Sequence, residues 1–335
     1  MVDNLESNEN PSEIPRAALT EEEVQVYRQK IEDQIYQFTQ THEPSELREV
    51  WRHYDTVTHD LSLNLTEQLR LILEPTLATK LKGDYRTGKR LNMKKIIPYI
   101  ASDFKKDKIW LRRTKPSKRQ YQVMISVDDS KSMSDPHTIQ LTFEALALVC
   151  KSLTQLEVGQ VSVTKFGNGI DIIHPFSTPL TSESGANILE KFSFAQEQTN
   201  IVNLLKETLV AFQHARQTQT NSSSSDLWQL QIILSDAVCD DKKALEPYIR
   251  MAQENKIILL FIIIDNKEGN SITELTSIEY TTPTGSADAY TMSGIKFVPY
   301  LSTFPFQFYT VLRNVDHLPD VLSDALRQYF SIVSE

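Results

Sequence analysis

QVMISVDDSKS, residues 122–132, decides the fold. Val123, Met124, Ile125 and Val127 make an apolar strand dense enough to need cover on both faces, the habit of parallel strands sandwiched between helix layers. The strand ends in two carboxylates, and hydroxyls follow at alternate positions. PHTIQLTFEALALVCKSL, 136–153, comes next, a long apolar stretch of helical length opened by a proline.

Outward from this unit, strand and helix patterns alternate. VSVTKFG (161–167) and IDIIHPF (170–176) flank Asn168-Gly169 and read as a hairpin. A helix is expected from about 201 to 216, then the polar loop TNSSSSD (220–226). QLQIILSD (229–236) and KIILLFIIID (256–265) are buried strands with a helix over about 242–255 between them. PFQFYTVL (305–312) and LPDVLSDALRQYFSIV (318–333) supply a last strand and a last helix. Such alternation implies right-handed crossovers and a doubly wound α/β domain over 120–335, its mostly parallel sheet covered by helices on both faces. A Ser/Thr/Gly-containing stretch at 267–303 interrupts it. A connection of that length is expected to be an insertion that contacts a partner.

Before the domain, residues 1–20 are polar and read as disordered. Residues 21–79 read as a helical lead-in, with Val24, Tyr27, Ile31 and Ile35, then Leu61, Leu65 and Leu69, at helical spacing. Residues 80–119 form a basic connecting segment of fifteen Lys or Arg against three Asp, a net +12 in a chain of −9, which leaves −21 for the rest. This segment should face something acidic, either within the same protein or outside it. The acidic average argues against a surface built wholly for nucleic acid, and RNA binding by the basic stretch stands as a secondary possibility. Gly83 to Lys89 follows a phosphate-loop spacing, but Arg90 stands where a magnesium-binding hydroxyl is required, so a basic turn is the better reading. Two cysteines, Cys150 and Cys239, without a metal spacing, and a polar opening stretch point to a reducing interior of the cell. The longest apolar run, Ile257–Ile264, is too short for a membrane role.

Asp128, Ser130 and Ser132 can turn three oxygen ligands towards one point, a hard donor set suited to Mg2+, with Mn2+ or Ca2+ as substitutes. Taken alone, DDSKS competes evenly with a helix cap in which Ser132 or Ser134 serves the helix beginning near Pro136. Asp129, Asp240 and Asp241 read as solvated or capping residues.

DDSKS at the end of an apolar strand resembles the metal-ion-dependent adhesion site of von Willebrand A and integrin inserted domains. The resemblance implies a von Willebrand A-like, Rossmann-type fold with two further site residues: Thr199 in EQTNI and Asp236 ending QLQIILSD. Many such domains carry Gly where this chain has Ala237, which puts the local turn in question. In these sites the hydroxyls touch the metal, the aspartates act mostly through water, and the exposed position takes a partner's Glu or Asp.

The segment LTEQLRLILEPTLATKLKGDYRTGKRLNMKKIIPYIASDFKKDKIWLRR, leading into the strand, resembles the C-terminal end of the midasin family, giant ring ATPases of ribosome assembly. That resemblance runs from about Leu65 onward. It implies a non-enzymatic binding module that captures an acidic residue in the ubiquitin-like domain of WD-repeat assembly factors, so that a remote ATPase ring strips them from nuclear large-subunit pre-ribosomal particles. An import receptor is a further implied partner. The alternative is a chelatase-like von Willebrand A subunit coupling an ATPase to metal insertion.

Overall fold

The computed structural model describes residues 21–41, 44–73, 81–113, 120–156, 159–218, 227–237, 242–265, 271–281 and 294–334. Residues 1–20, the loop 220–226, Cys239, Asp240 and Asp241 lie outside them. Three helices come first: α1 (Glu21–Thr41), α2 (Pro44–Val57) and α3 (His59–Leu73). Ile31, Tyr54, Leu65 and Leu69 are buried in the same hydrophobic cluster as the main sheet, so these helices are part of its cover. Arg28 on α1 fastens them, donating to the buried Glu144 at 2.7 Å and to Asp316 at 2.7 Å.

The basic stretch, read as a connecting segment, has elements of its own. β1 (Leu81–Tyr85), β2 (Arg90–Leu91), α4 (Met93–Ala101) and β3 (Trp110–Arg113) form a small unit in which the strands pair antiparallel in the order β1-β3-β2. The Gly83–Lys89 run covers the end of β1 and the bend to β2, with a Lys89 amide bond to the Leu111 carbonyl.

The main domain then follows: β4 (Gln120–Asp128), α5 (Pro136–Gln155), β5 (Gly159–Phe166), β6 (Ile170–His174), α6 (Ser182–Glu190), α7 (Ile201–Thr218), β7 (Leu227–Ser235), α8 (Lys242–Glu254), β8 (Ile257–Ile264), the hairpin β9 (Thr276–Thr281) and β10 (Gly294–Pro299), β11 (Tyr309–Leu312) and α9 (Leu318–Ser334). Its six strands lie in the order β11-β8-β7-β4-β5-β6, all parallel except β6, which returns antiparallel beside β5. Counting only these strands, the order is 3-2-1-4-5-6 of the doubly wound fold. The expected α/β architecture is therefore present.

Each face of the sheet has its own core. One packs Ile125, Val127 and Leu234 against α1–α3, α5, α6 and α9, and the other packs Met124, Ile233 and Phe261 against α7, α8 and the end of the insertion. This two-sided burial is why β4, β7 and β8 read as continuous apolar runs. Helix α6 was not read from the sequence. It is capped at Thr181, whose hydroxyl accepts from the Ser184 amide, and it lies so close to α2 that a Cβ at Gly185 would overlap the Trp51 ring. The last strand is also shorter than expected, because Phe304 and Phe306 leave the sheet line to pack on Phe261. Among the described residues no helix is long and apolar enough to cross a membrane.

Candidate metal centre

β4 is the strand from which the chain winds first one way, to β5, and later the other way, to β7. The carboxyl ends of β4 and β7 therefore flank the crevice in which doubly wound sheets collect ligands. Asp128 ends β4 and Asp236 follows β7, with Val127 paired to Leu234.

Asp128 is fully buried. Its Oδ1 accepts the Ser130 amide at 2.9 Å and its Oδ2 accepts the Ser235 hydroxyl at 2.6 Å. Burial pushes its carboxyl up to about 6; the negative charge of Asp236 adds to this, while the hydrogen bonds from Ser235 and Ser130 work the other way. Two neighbouring carboxylates, one of them buried, make a place where a cation lowers the electrostatic cost.

Ser130 and Ser132 present their hydroxyls side by side, Oγ to Oγ 2.9 Å, with Ser130 buried and Ser132 exposed. Neither serves as the cap of α5. That place belongs to Asp135, whose carboxylate accepts the Thr138 amide at 3.4 Å, with Pro136 opening the helix. The cap reading of the serines is thereby set aside, and both hydroxyls are left free of that duty.

Thr199 is half-buried at the end of the loop 192–200, which runs beside the Asp128–Ser132 turn. Gln196 stitches the two together: its carbonyl accepts the Lys131 amide at 2.7 Å and its amide donates to the Asp129 carbonyl at 3.3 Å. Its side chain also accepts the Asn168 amide at 2.6 Å, an approach that leaves no room for a Cβ on Gly167. On either side of Thr199, Gln198 donates to Asn168 Oδ1 at 3.0 Å and Asn200 donates to the Gly167 carbonyl at 3.1 Å. Thr199 thus hangs between two pinned peptides, ahead of α7, which Asn200 caps.

Asp129 corrects the reading of it as solvated or capping. It is fully buried and accepts from the Ser193 amide at 2.8 Å, the Phe194 amide at 2.6 Å, Gln196 Nε2 at 3.0 Å and Lys165 Nζ at 3.3 Å. Its carboxylate is the bolt that holds the Thr199 loop to the Asp128 turn. No local sequence signal separates it from a solvated aspartate, because its partners lie more than thirty residues downstream.

Ala237 takes the turn after Asp236 at φ 62°, in the left-handed region that favours glycine. The turn is kept nonetheless. The Ala237 amide reaches Ser235 Oγ at 3.3 Å and its carbonyl accepts the Tyr300 hydroxyl at 2.8 Å, so the end of the insertion leans on the crevice. Lys242, at the start of α8, sits 3.6 Å over the Tyr300 ring and donates to Thr303 at 2.6 Å. Asp128, Ser130, Ser132 and Asp236 thus share the carboxyl-end region of β4 and β7, with the loop that carries Thr199 fastened to the Asp128–Ser132 turn, and carboxylates and hydroxyls are donors of the kind a hard divalent cation takes.

No family model matches the chain. It is 42% identical over 316 residues to midasin of Dictyostelium discoideum, covering 94% of this chain and 5% of that protein. It is 36% identical over 277 residues to midasin of Giardia intestinalis, covering 83% of this chain and 6% of that protein. The chain therefore spans about one twentieth of the length of these curated relatives. Among solved structures, proximal thread matrix protein 1 from the mussel byssus aligns at TM-score 0.43 and 14% identity, over 62% of this chain and 47% of that one. Manganese-loaded TRAP protein of Plasmodium vivax aligns at TM-score 0.37 and 16% identity, over 43% of this chain and 57% of that one. Through the sequence match, which runs along most of its length, the chain belongs to the midasin family.

Proposed function

We propose that this module is a metal-dependent grip for an acidic side chain of a partner protein, without catalysis of its own. Asp128, Ser130, Ser132, Thr199 and Asp236 would hold one Mg2+, with Mn2+ or Ca2+ as substitutes. The observation that carries this reading is the pair of serine hydroxyls 2.9 Å apart beside a buried carboxylate at the switch point of the sheet. A dication held largely by hydroxyls keeps net positive charge and an exchangeable position, which an incoming carboxylate oxygen fills. Both oxygens of Asp128 already accept protein hydrogen bonds, which suits a carboxylate that positions a ligand rather than one that takes a proton.

Kinship with midasin supports a place in a ribosome-assembly ATPase. In this reading the partner is the ubiquitin-like domain of a WD-repeat assembly factor on a nuclear large-subunit precursor. The ATPase ring of the longer protein does the pulling, and an import receptor reads the basic segment. The test is a titration of the purified chain with a ubiquitin-like domain in magnesium, in EDTA, and with Asp128→Ala. Binding is expected in magnesium alone, and retention in EDTA or by the variant overturns the proposal.

A further inference from the structure

Helix α4 buries none of its residues. An isolated helix of nine residues is marginal in water and ordinarily persists by laying an apolar stripe on a core. The apolar stripe of α4 points outward instead. Met93, Ile97 and Ile100 are 74%, 76% and 59% exposed, and Phe104, just past the helix and edge-on to Tyr99, is 62% exposed. At spacings of four and three residues, Met93, Ile97 and Ile100 line one face of the helix across about two turns, and Phe104 follows beyond its end. Contiguous exposed apolar surface rimmed by polar residues marks an interaction site.

The rim is basic. Of the three acidic residues in the stretch 80–119, Asp84 pairs with Lys95 and Asp107 pairs with Arg86 at 3.0 Å. Lys89, Arg90, Lys94, Lys105, Lys106 and Lys108 are all exposed, and none of them has an acidic partner among the described residues. Lys94 sits on the helix itself and Lys105 and Lys106 follow Phe104 in the chain, so excess positive charge is presented beside the stripe.

We propose that the outward face of α4 docks an acidic amphipathic helix of a partner protein, its apolar side chains against Ile97 and Ile100 and its carboxylates against the surrounding lysines. Charge complementarity sets the sign of the partner, and the stripe sets its shape, since a helix laid along a helix engages side chains at this spacing. A nucleic-acid strand asks for aromatic faces to stack on, whereas Met93, Ile97 and Ile100 offer no ring. A lipid surface rewards buried apolar area, and a nine-residue helix offers little of it.

The experiment uses the whole chain in EDTA, which separates this surface from the metal centre. The probe is a labelled synthetic helix with leucines along one face and glutamates along the other, followed by fluorescence anisotropy. Binding is expected to weaken on the order of tenfold or more in Ile97→Ser/Ile100→Ser, whose parent side chains are exposed, so folding is retained. Lys94→Glu/Lys105→Glu is expected to weaken it too, and to recover when the peptide carries lysines in place of glutamates. Equal binding of a scrambled peptide, or no change in the isoleucine variant, overturns the proposal. So does preference for a single-stranded RNA oligonucleotide or for phosphatidylserine vesicles over the peptide.

Discussion

The crevice beside β4 and the unit that carries α4 treat polar and apolar groups in opposite ways. At the crevice, charged side chains are buried and tied: Asp129 has no exposure and accepts bonds from four residues, and Asp128 is held on both oxygens. On α4, large apolar side chains are exposed and no residue of the helix is fully buried. A ligand position that must be held to a fraction of an ångström needs a surrounding shell of fixed bonds. A docking ridge needs only reach and sign of charge. The folding energy of the chain is therefore expected to be concentrated around the crevice and to be indifferent to α4.

The contrast is tested most severely at Asp129. Asp129→Ala strands the amides of Ser193 and Phe194, while Lys165 keeps its bond to the Lys191 carbonyl, and is expected to cost about 3 kcal/mol in urea unfolding, because donors left without an acceptor carry their full desolvation penalty. A loss within the error of the measurement would mean that the loop holds itself.

A smaller effect is expected at Asp265, where β8 ends. Burial raises its carboxyl, but hydrogen bonds from Arg313 at 2.8 Å, Ser271 at 2.8 Å and the Ile272 amide at 3.1 Å outweigh that and hold it below the ordinary range. A carboxylate with a depressed folded value stabilises above its unfolded value, about 3.9, and that contribution is lost as pH falls through the folded one. Asp265→Asn is thus expected to cost about 1 kcal/mol at neutral pH, a figure reduced by the solvent exposure of Arg313, and nothing once Asp265 is protonated. Unfolding curves of the two proteins that stay apart in strong acid would remove the ion pair as the cause. Least of all should change in Ile97→Ser, with stability within about 0.5 kcal/mol of the parent in the same urea assay. A loss comparable to that of Asp129→Ala would erase the distinction between the two regions.

Those elements whose signal is local were legible from the sequence. β4, β7 and β8 declare themselves because both faces are apolar, and α5 because a proline opens a long apolar run. Asp128, Ser130 and Ser132 were legible by spacing, whereas Thr199 and Asp236 needed a resemblance, since only the folded sheet brings β7 beside β4. Asp129, read as solvated or capping, is a buried acceptor, and the cap expected at Ser132 or Ser134 falls to Asp135, for a physical reason. Identical side chains six residues apart differ only in what lies across from them, and for Asp129 that is a loop beyond residue 190. The small β1-β3-β2 unit was hidden by its charge, because strands of two to five residues dense in lysine and arginine carry no apolar period.

The bridge from Arg28 to Glu144 and Asp316 has a mechanical side. Glu144 lies on α5 eight residues beyond Pro136, about 12 Å along the helix axis. Tension applied between the serine turn and the first helix of the chain would run down that short rod and across the guanidinium in shear. It would not have to unzip the sheet strand by strand, so the shortest route for load through the domain bypasses its parallel core.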